Sequence, residues 1–183
     1  MSEVDRAYWD ARYRDRGPAS SAAPGPPPVF SGYEHLIPGR GSAVELACGR
    51  GRGGIWLGSR GLTYFGVDVS PVAIDLATRL AADTGLADQC RFEVHDLDLG
   101  LPMGPPADLI LVYLFRDRRL DQAIIDRLAP GGVLATACLS EVGAGPGDFR
   151  AKPGELKRSF DSLEFLAEGE ADGQAWLIGA KPE

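Results

Sequence analysis

At 183 residues, the chain has room for one domain of ordinary size and a short arm. Hydrophobic residues at 44% and charged residues at 25% form an ordinary globular mixture, which excludes bulk disorder. With 19 basic and 26 acidic side chains the formal charge is −7, and an acidic surface repels phosphate backbones and anionic headgroups, so neither nucleic acid nor membrane is expected as a partner. Cys48, Cys90 and Cys138 are scattered, and with only His35 and His95 they form no CxxC or HExxH spacing. No metal site is expected, and three lone thiols suit a reducing compartment. The first residues carry early acids and no apolar run, so a cytoplasmic setting is expected.

In chain order, residues 8–14 place Trp9 and Tyr13 on one face of a short amphipathic helix. Residues 17–28 then carry five prolines and two glycines, which fit neither a helix interior nor a central strand. They read as a linker or strap, dividing an N-terminal arm with its linker (1–28) from an α/β domain (29–183). Residues 29–37 are expected to form a short helix closing at Pro38. From Ser42 onward strands and helices alternate. A short apolar strand at 43–46 leads through Gly49, Gly51, Gly53 and Gly54 into a helix over 52–59. A second strand at 63–67 ends at Asp68, and Ser70 followed by Pro71 caps a helix that stops at Gly85. The third strand, 91–95, is cut off by Asp96.

Residues 109–114 form a nearly continuous apolar run, as expected for a strand covered on both faces. A helix over 117–128 and a turn at Gly131 lead into a strand at 133–138. After a loose stretch at 143–154, strands at 163–167 and 175–180 can pair as a hairpin. Repeated β-α-β units imply a doubly wound, mostly parallel sheet with an antiparallel C-terminal strand.

The informative pattern is the series of acids at successive strand ends. Glu45 precedes the glycine turn, and Asp68 follows Gly49 by 19 residues, the reach of an acid that accepts both hydroxyl protons of a ribose. Gly49, Gly51 and Gly54 also satisfy GxGxxG, which leaves a nicotinamide or flavin dinucleotide open. Against that reading, Glu45 beside the loop disfavours a pyrophosphate but tolerates a cationic ligand. Asp96 can recognise an amino group on an adenine edge, and little chain remains for a second substrate domain. A P-loop fails, because no Gly-Lys-Ser/Thr follows the glycines.

These residues carry a resemblance. Segments 44–53 (VELACGRGRG), 65–74 (FGVDVSPVAI), 92–96 (FEVHD), 107–116 (ADLILVYLFR) and 128–134 (LAPGGVL) resemble, in order and spacing, the motifs of class I S-adenosylmethionine-dependent methyltransferases. More narrowly, 9–14 (WDARYR) and 149–156 (FRAKPGEL) resemble small bacterial methyltransferases of the tellurite-resistance type. The resemblance implies S-adenosylmethionine as cofactor and methyl transfer to a small-molecule acceptor. It places Glu45 and the backbone of Ala47, Gly49 and Gly51 at the methionine moiety, Asp68 at the ribose, Val69 against the adenine, Asp96 at its amino group and Leu97 at its ring. Tyr113 would lie near the transferred methyl. Ala47 departs from the family, standing where a glycine is usual.

Methyl transfer needs alignment of acceptor and methyl, and a base only where the acceptor must lose a proton. The absence of a triad is therefore compatible with an enzyme. Tyr113 and Arg116 are the catalytic candidates. Phe115, Phe149 and Arg150 are the acceptor-binding ones, their cations suiting an anionic acceptor. A non-catalytic S-adenosylmethionine-binding module is the alternative, and an NAD(P)-binding reductase a more distant one. A monomer or weak homodimer is expected. Residues 5–16 are expected to form a lid over the cofactor's methionine end, with Trp9 and Tyr13 inward and Arg12 or Arg14 at its carboxylate.

Overall fold

The structure, a computed structural model, describes residues 3–20, 25–147 and 149–183; residues 21–24 of the expected linker lie outside them. Seven strands form one sheet in the order β3-β2-β1-β4-β5-β7-β6. The parallel part comprises β1 (Gly41–Leu46), β2 (Leu62–Asp68), β3 (Cys90–Val94), β4 (Ala107–Tyr113) and β5 (Leu128–Leu139). The expected hairpin forms from β6 (Glu164–Ala171) and β7 (Gln174–Ala180). Its second strand inserts beside β5, antiparallel to it, so β6 rather than β7 forms the sheet edge.

Side chains alternate across the sheet because successive residues of a strand point to opposite faces. Leu109 and Leu111 of β4 join Trp56, Leu57 and Tyr64 on one face, under α2 (Arg52–Ser59) and α3 (Pro71–Asp83). Ile110 and Val112 join Ile124, Leu156 and Phe160 on the other, under α4 (Asp121–Arg127) and α5 (Glu155–Ser159). Both faces are thus covered, which explains why β4 reads as an unbroken apolar run.

Two expected helices come out differently. Residues 29–37 form two separate 3-10 turns, Pro28–Phe30 and Glu34–Leu36, because Gly32 takes a positive φ of 91° between them. Residues 117–128 divide into a 3-10 turn, Arg118–Leu120, and the shorter α4. The aromatic arm is longer than its sequence pattern suggests, forming α1 (Glu3–Arg16) with no fully buried residue. Phe30, by contrast, is completely buried, so the chain after the prolines belongs to the core.

Candidate functional site

Strand order reverses between β1 and β4, and in open α/β sheets ligands bind beyond the strand ends at such a switch point. A cleft of about 650 Å³ opens there. Its wall includes Glu45 on β1, Asp68 and Val69 after β2, Tyr113, Leu114 and Phe115 after β4, and Leu139 at the end of β5.

The loop between β1 and α2 is held by its neighbours. The Cys48 amide donates to Val67 O at 2.9 Å and the Gly49 amide donates to Asp68 Oδ2 at 2.9 Å. Gly49 and Gly51 have φ of 53° and 78°, which cost a glycine little. At Gly51 any side chain would strike Ala77 and the Phe92 ring, so this glycine works from behind the cleft, as the N-cap of α2. Ala47 adopts the same left-handed backbone, with φ of 53°.

The two acids differ in their surroundings. Asp68 also accepts from the Ser70 amide at 3.0 Å, so both its oxygens are anchored. Each oxygen keeps a second lone pair for a ligand hydroxyl. Burial raises its pKa, with the two amides opposing that shift. Glu45 is 5% exposed and receives one side-chain hydrogen bond, from the Tyr64 hydroxyl at 2.5 Å. Burial pushes its carboxyl up to about 8, opposed by that hydrogen bond and assisted by the Asp68 charge. A buried acid short of counter-charge is a receptor for a ligand cation.

The arm closes the cleft from above. Trp9, Arg12, Tyr13 and Arg16 line it, together with the strap from Gly25 to Pro28. Trp9 and Tyr13 stack with centroids 5.8 Å apart, and the Tyr13 ring lies over Gly49. Burial and the nearby Asp68 raise the pKa of the Tyr13 hydroxyl. Two contacts seat α1: the Ser70 hydroxyl donates to Asp10 at the start of α3, and Arg50 Nη1 donates to the carbonyls of Arg16, Gly17 and Pro18 at 3.3, 2.9 and 3.3 Å. Arg50 thereby satisfies carbonyls left free at a helix end.

Several residues singled out from sequence lie elsewhere. Arg14 points away, 65% exposed and 3.8 Å from Asp10, which leaves Arg12, of the two expected cations, at the arm's inner face beside Arg16. Arg116 does not reach the cleft: its guanidinium donates to Asp121 at 2.5 and 2.8 Å, to Glu155 at 3.1 Å and to Ser159 at 3.0 Å. Its work is to tie β4's exit loop to α4 and α5. Phe149 is 85% exposed, and Arg150 donates to Ser140 O at 2.8 Å, so neither lines the cleft. Leu97 is buried in the α4–α5 layer, and Asp96 accepts from the Asp98 amide at 2.9 Å, closing a turn. Neither forms part of the cleft wall.

Sequence reasoning missed Arg16, Arg50, Arg52, Leu114, Leu139 and the strap. Leu139 was within reach, since the rule that ligands meet strand ends applies to the fifth strand as to the first. The strap's path over the cleft leaves no local periodicity to read.

The strand order, with an antiparallel seventh strand between the fifth and sixth, decides the architecture. This is the class I S-adenosylmethionine-dependent methyltransferase fold. Residues 43–132 match the family model described as a methyltransferase domain. TehB from Haemophilus influenzae superposes with a TM-score of 0.74 at 17% identity, over 96% of this chain and 66% of that one. Geranyl diphosphate C-methyltransferase from Streptomyces coelicolor gives 0.71 at 18% identity, over 99% and 97%. In sequence, 103 residues are 29% identical to 2-heptyl-1-hydroxyquinolin-4(1H)-one methyltransferase of Mycobacteroides abscessus, covering 53% of this chain and 45% of that protein. The match thus spans less than half the length of that relative.

Proposed function

We propose that the protein transfers a methyl group from S-adenosylmethionine to a small-molecule acceptor. The observation that carries this reading is the pairing of Glu45 with Asp68 across one glycine loop at the switch point. The cofactor's features fit that pair. Asp68, with spare lone pairs, holds the ribose hydroxyls. Glu45, buried without a cation, takes the ammonium end of the methionine moiety, and the loop backbone at Ala47 and Gly49 packs along it. Val69 supports the adenine, and Arg12 answers the carboxylate.

When bound, S-adenosylmethionine supplies a sulfonium methyl that is already activated toward a nucleophile. The chain's residues contribute position and dryness. Tyr113, half-buried at the end of β4, stands where the acceptor must meet the methyl, and burial keeps its hydroxyl protonated. Tyr113 therefore orients the acceptor or donates a hydrogen bond rather than acting as a base. Trp9, Tyr13 and the strap exclude water above the reacting atoms.

Titration calorimetry with S-adenosylmethionine and S-adenosylhomocysteine, beside NADH and FAD, tests the cofactor. Binding of a dinucleotide with neither sulfur ligand bound rejects the proposal. Labelled methyl transfer to a broad acceptor panel then separates an enzyme from a binding module, since cofactor binding with no acceptor labelled would favour the module.

A further inference from the structure

Four arginines reach the cleft of a chain whose formal charge is −7. Arg50 is occupied by the carbonyls at the end of α1. Arg12, Arg16 and Arg52 form no ion pair with a carboxylate among the described residues; Arg60, Arg127, Arg150 and Arg158, outside the cleft, likewise form none but are taken up by backbone carbonyls. Three cations without a carboxylate partner around one opening, Arg12 among them lying over the Trp9 ring, focus a positive field on what enters it. A cofactor carboxylate accounts for one of them, Arg12. Arg16 and Arg52 remain, and nothing else in the cofactor is anionic.

The wall beyond Tyr113 is apolar. Leu114 holds a φ of 57°, a conformation in which a bulky side chain is strained. It is 49% exposed in the cleft, and Leu139, at the end of β5, is 38% exposed beside Phe115's stretch of the same wall. Strained or half-wet aliphatic side chains at a site's mouth are stabilised when a ligand covers them.

Resting on the methyl-transfer reading, we infer that the acceptor is an amphipathic organic anion. Its apolar body packs on Leu114, Phe115 and Leu139, and its carboxylate or similar oxyanion is held by Arg16 and Arg52.

The test uses the full chain saturated with S-adenosylhomocysteine and two probes of one shape, 1-hydroxy-2-naphthoate and 1-hydroxy-2-naphthamide. The naphthoate should bind about tenfold tighter, the effect of a charge-assisted contact. In the Arg16→Gln, Arg52→Gln double variant that preference should vanish, with S-adenosylhomocysteine affinity within about twofold of wild type and the melting curve unchanged. Equal binding of the two probes overturns the inference, as does a preference that survives in the double variant. Inorganic selenite binding as tightly as the naphthoate overturns the apolar half of it. Loss of S-adenosylhomocysteine together with the naphthoate gives these arginines to the cofactor, and also overturns it. Failure of the wild type to bind S-adenosylhomocysteine is seen before either probe is added, and it rejects the methyl-transfer reading itself.

Discussion

Glu45 is the residue whose chemistry depends most on its position. It lies on a strand covered on both faces, its carboxyl meeting the Tyr64 hydroxyl and facing Asp68 across the loop, so burial holds it protonated up to about 8 from an ordinary 4.5. The folded protein therefore binds more protons than the unfolded chain between those values. This contribution to stability is complete below about pH 4.5 and is lost as pH rises through about 8. Glu45→Gln keeps the shape and cannot ionise, so the gap between variant and wild-type melting temperatures should open over that window in the variant's favour. A constant gap would mean that Glu45 is ionised throughout. A bound cation reverses the preference. S-adenosylhomocysteine affinity should then climb with pH, at most about tenfold per unit, and level off above the carboxyl's own pKa, with a proton released to buffer in calorimetry. Two residues on, Ala47 carries the left-handed strain that a glycine would avoid. Ala47→Gly relieves about 1 to 2 kcal/mol of that strain at the cost of about 0.4 to 1 kcal/mol of added unfolded-chain entropy, and should raise stability by up to about 1 kcal/mol in denaturant unfolding. A clear loss would show that the Ala47 methyl earns its place by packing.

At the level of elements, Arg116 separates what local pattern tells from what it hides. Its place just past β4 was legible, and a cation there reads as facing the ligand. What decides its role is Glu155, 39 residues away on α5, and Asp121 at the start of α4. Asp121, five residues on, lies within local reach as a nearby acid, but no local spacing announces Glu155. The strands were legible from their own apolar runs, because each must satisfy two packed faces. The insertion of β7 beside β5 was not, because register between distant strands is a property of the assembled sheet. The ion cluster has a measurable signature. Glu155 is pulled down to about 2 from 4.5 by Arg118 first, then by the Lys152 amide and Arg116. Its contribution is present above about pH 4.5 and is lost as pH falls toward about 2. Arg116→Ala leaves the partly buried Asp121 without its cation and Glu155 with Arg118 alone, and should cost about 3 kcal/mol in denaturant unfolding. S-adenosylhomocysteine affinity of the folded variant should stay the same. A stable Arg116→Ala protein with weakened cofactor binding would return Arg116 to the site.

Across the whole molecule, the arm and the core have separate jobs. Helix α1 buries no residue completely, and it is seated by polar contacts to the two structures that frame the cleft, Arg50 in the glycine loop and Ser70 at the start of α3. Phe30 and Ile37, beyond the prolines, are buried in the layer under α2 and α3. The boundary between cover and core therefore falls within the strap. That Trp9 and Tyr13 share a face was legible from their spacing. That this face turns toward the glycine loop is expected from the need to bury two aromatics, although the prolines themselves fix no direction for the helix. Tyr13 comes to lie against Gly49. Removing residues 1–16 should leave the melting temperature of the cofactor-free core within a few degrees, because little apolar surface is uncovered. It should also weaken S-adenosylhomocysteine binding about tenfold or more, since Trp9, Arg12 and Tyr13 leave together. Arg50→Gln, which unties only the helix end, should give a smaller loss in the same direction. A truncated protein that melts far lower would make α1 part of the core. One that melts and binds as the full chain does would leave the cleft without a lid.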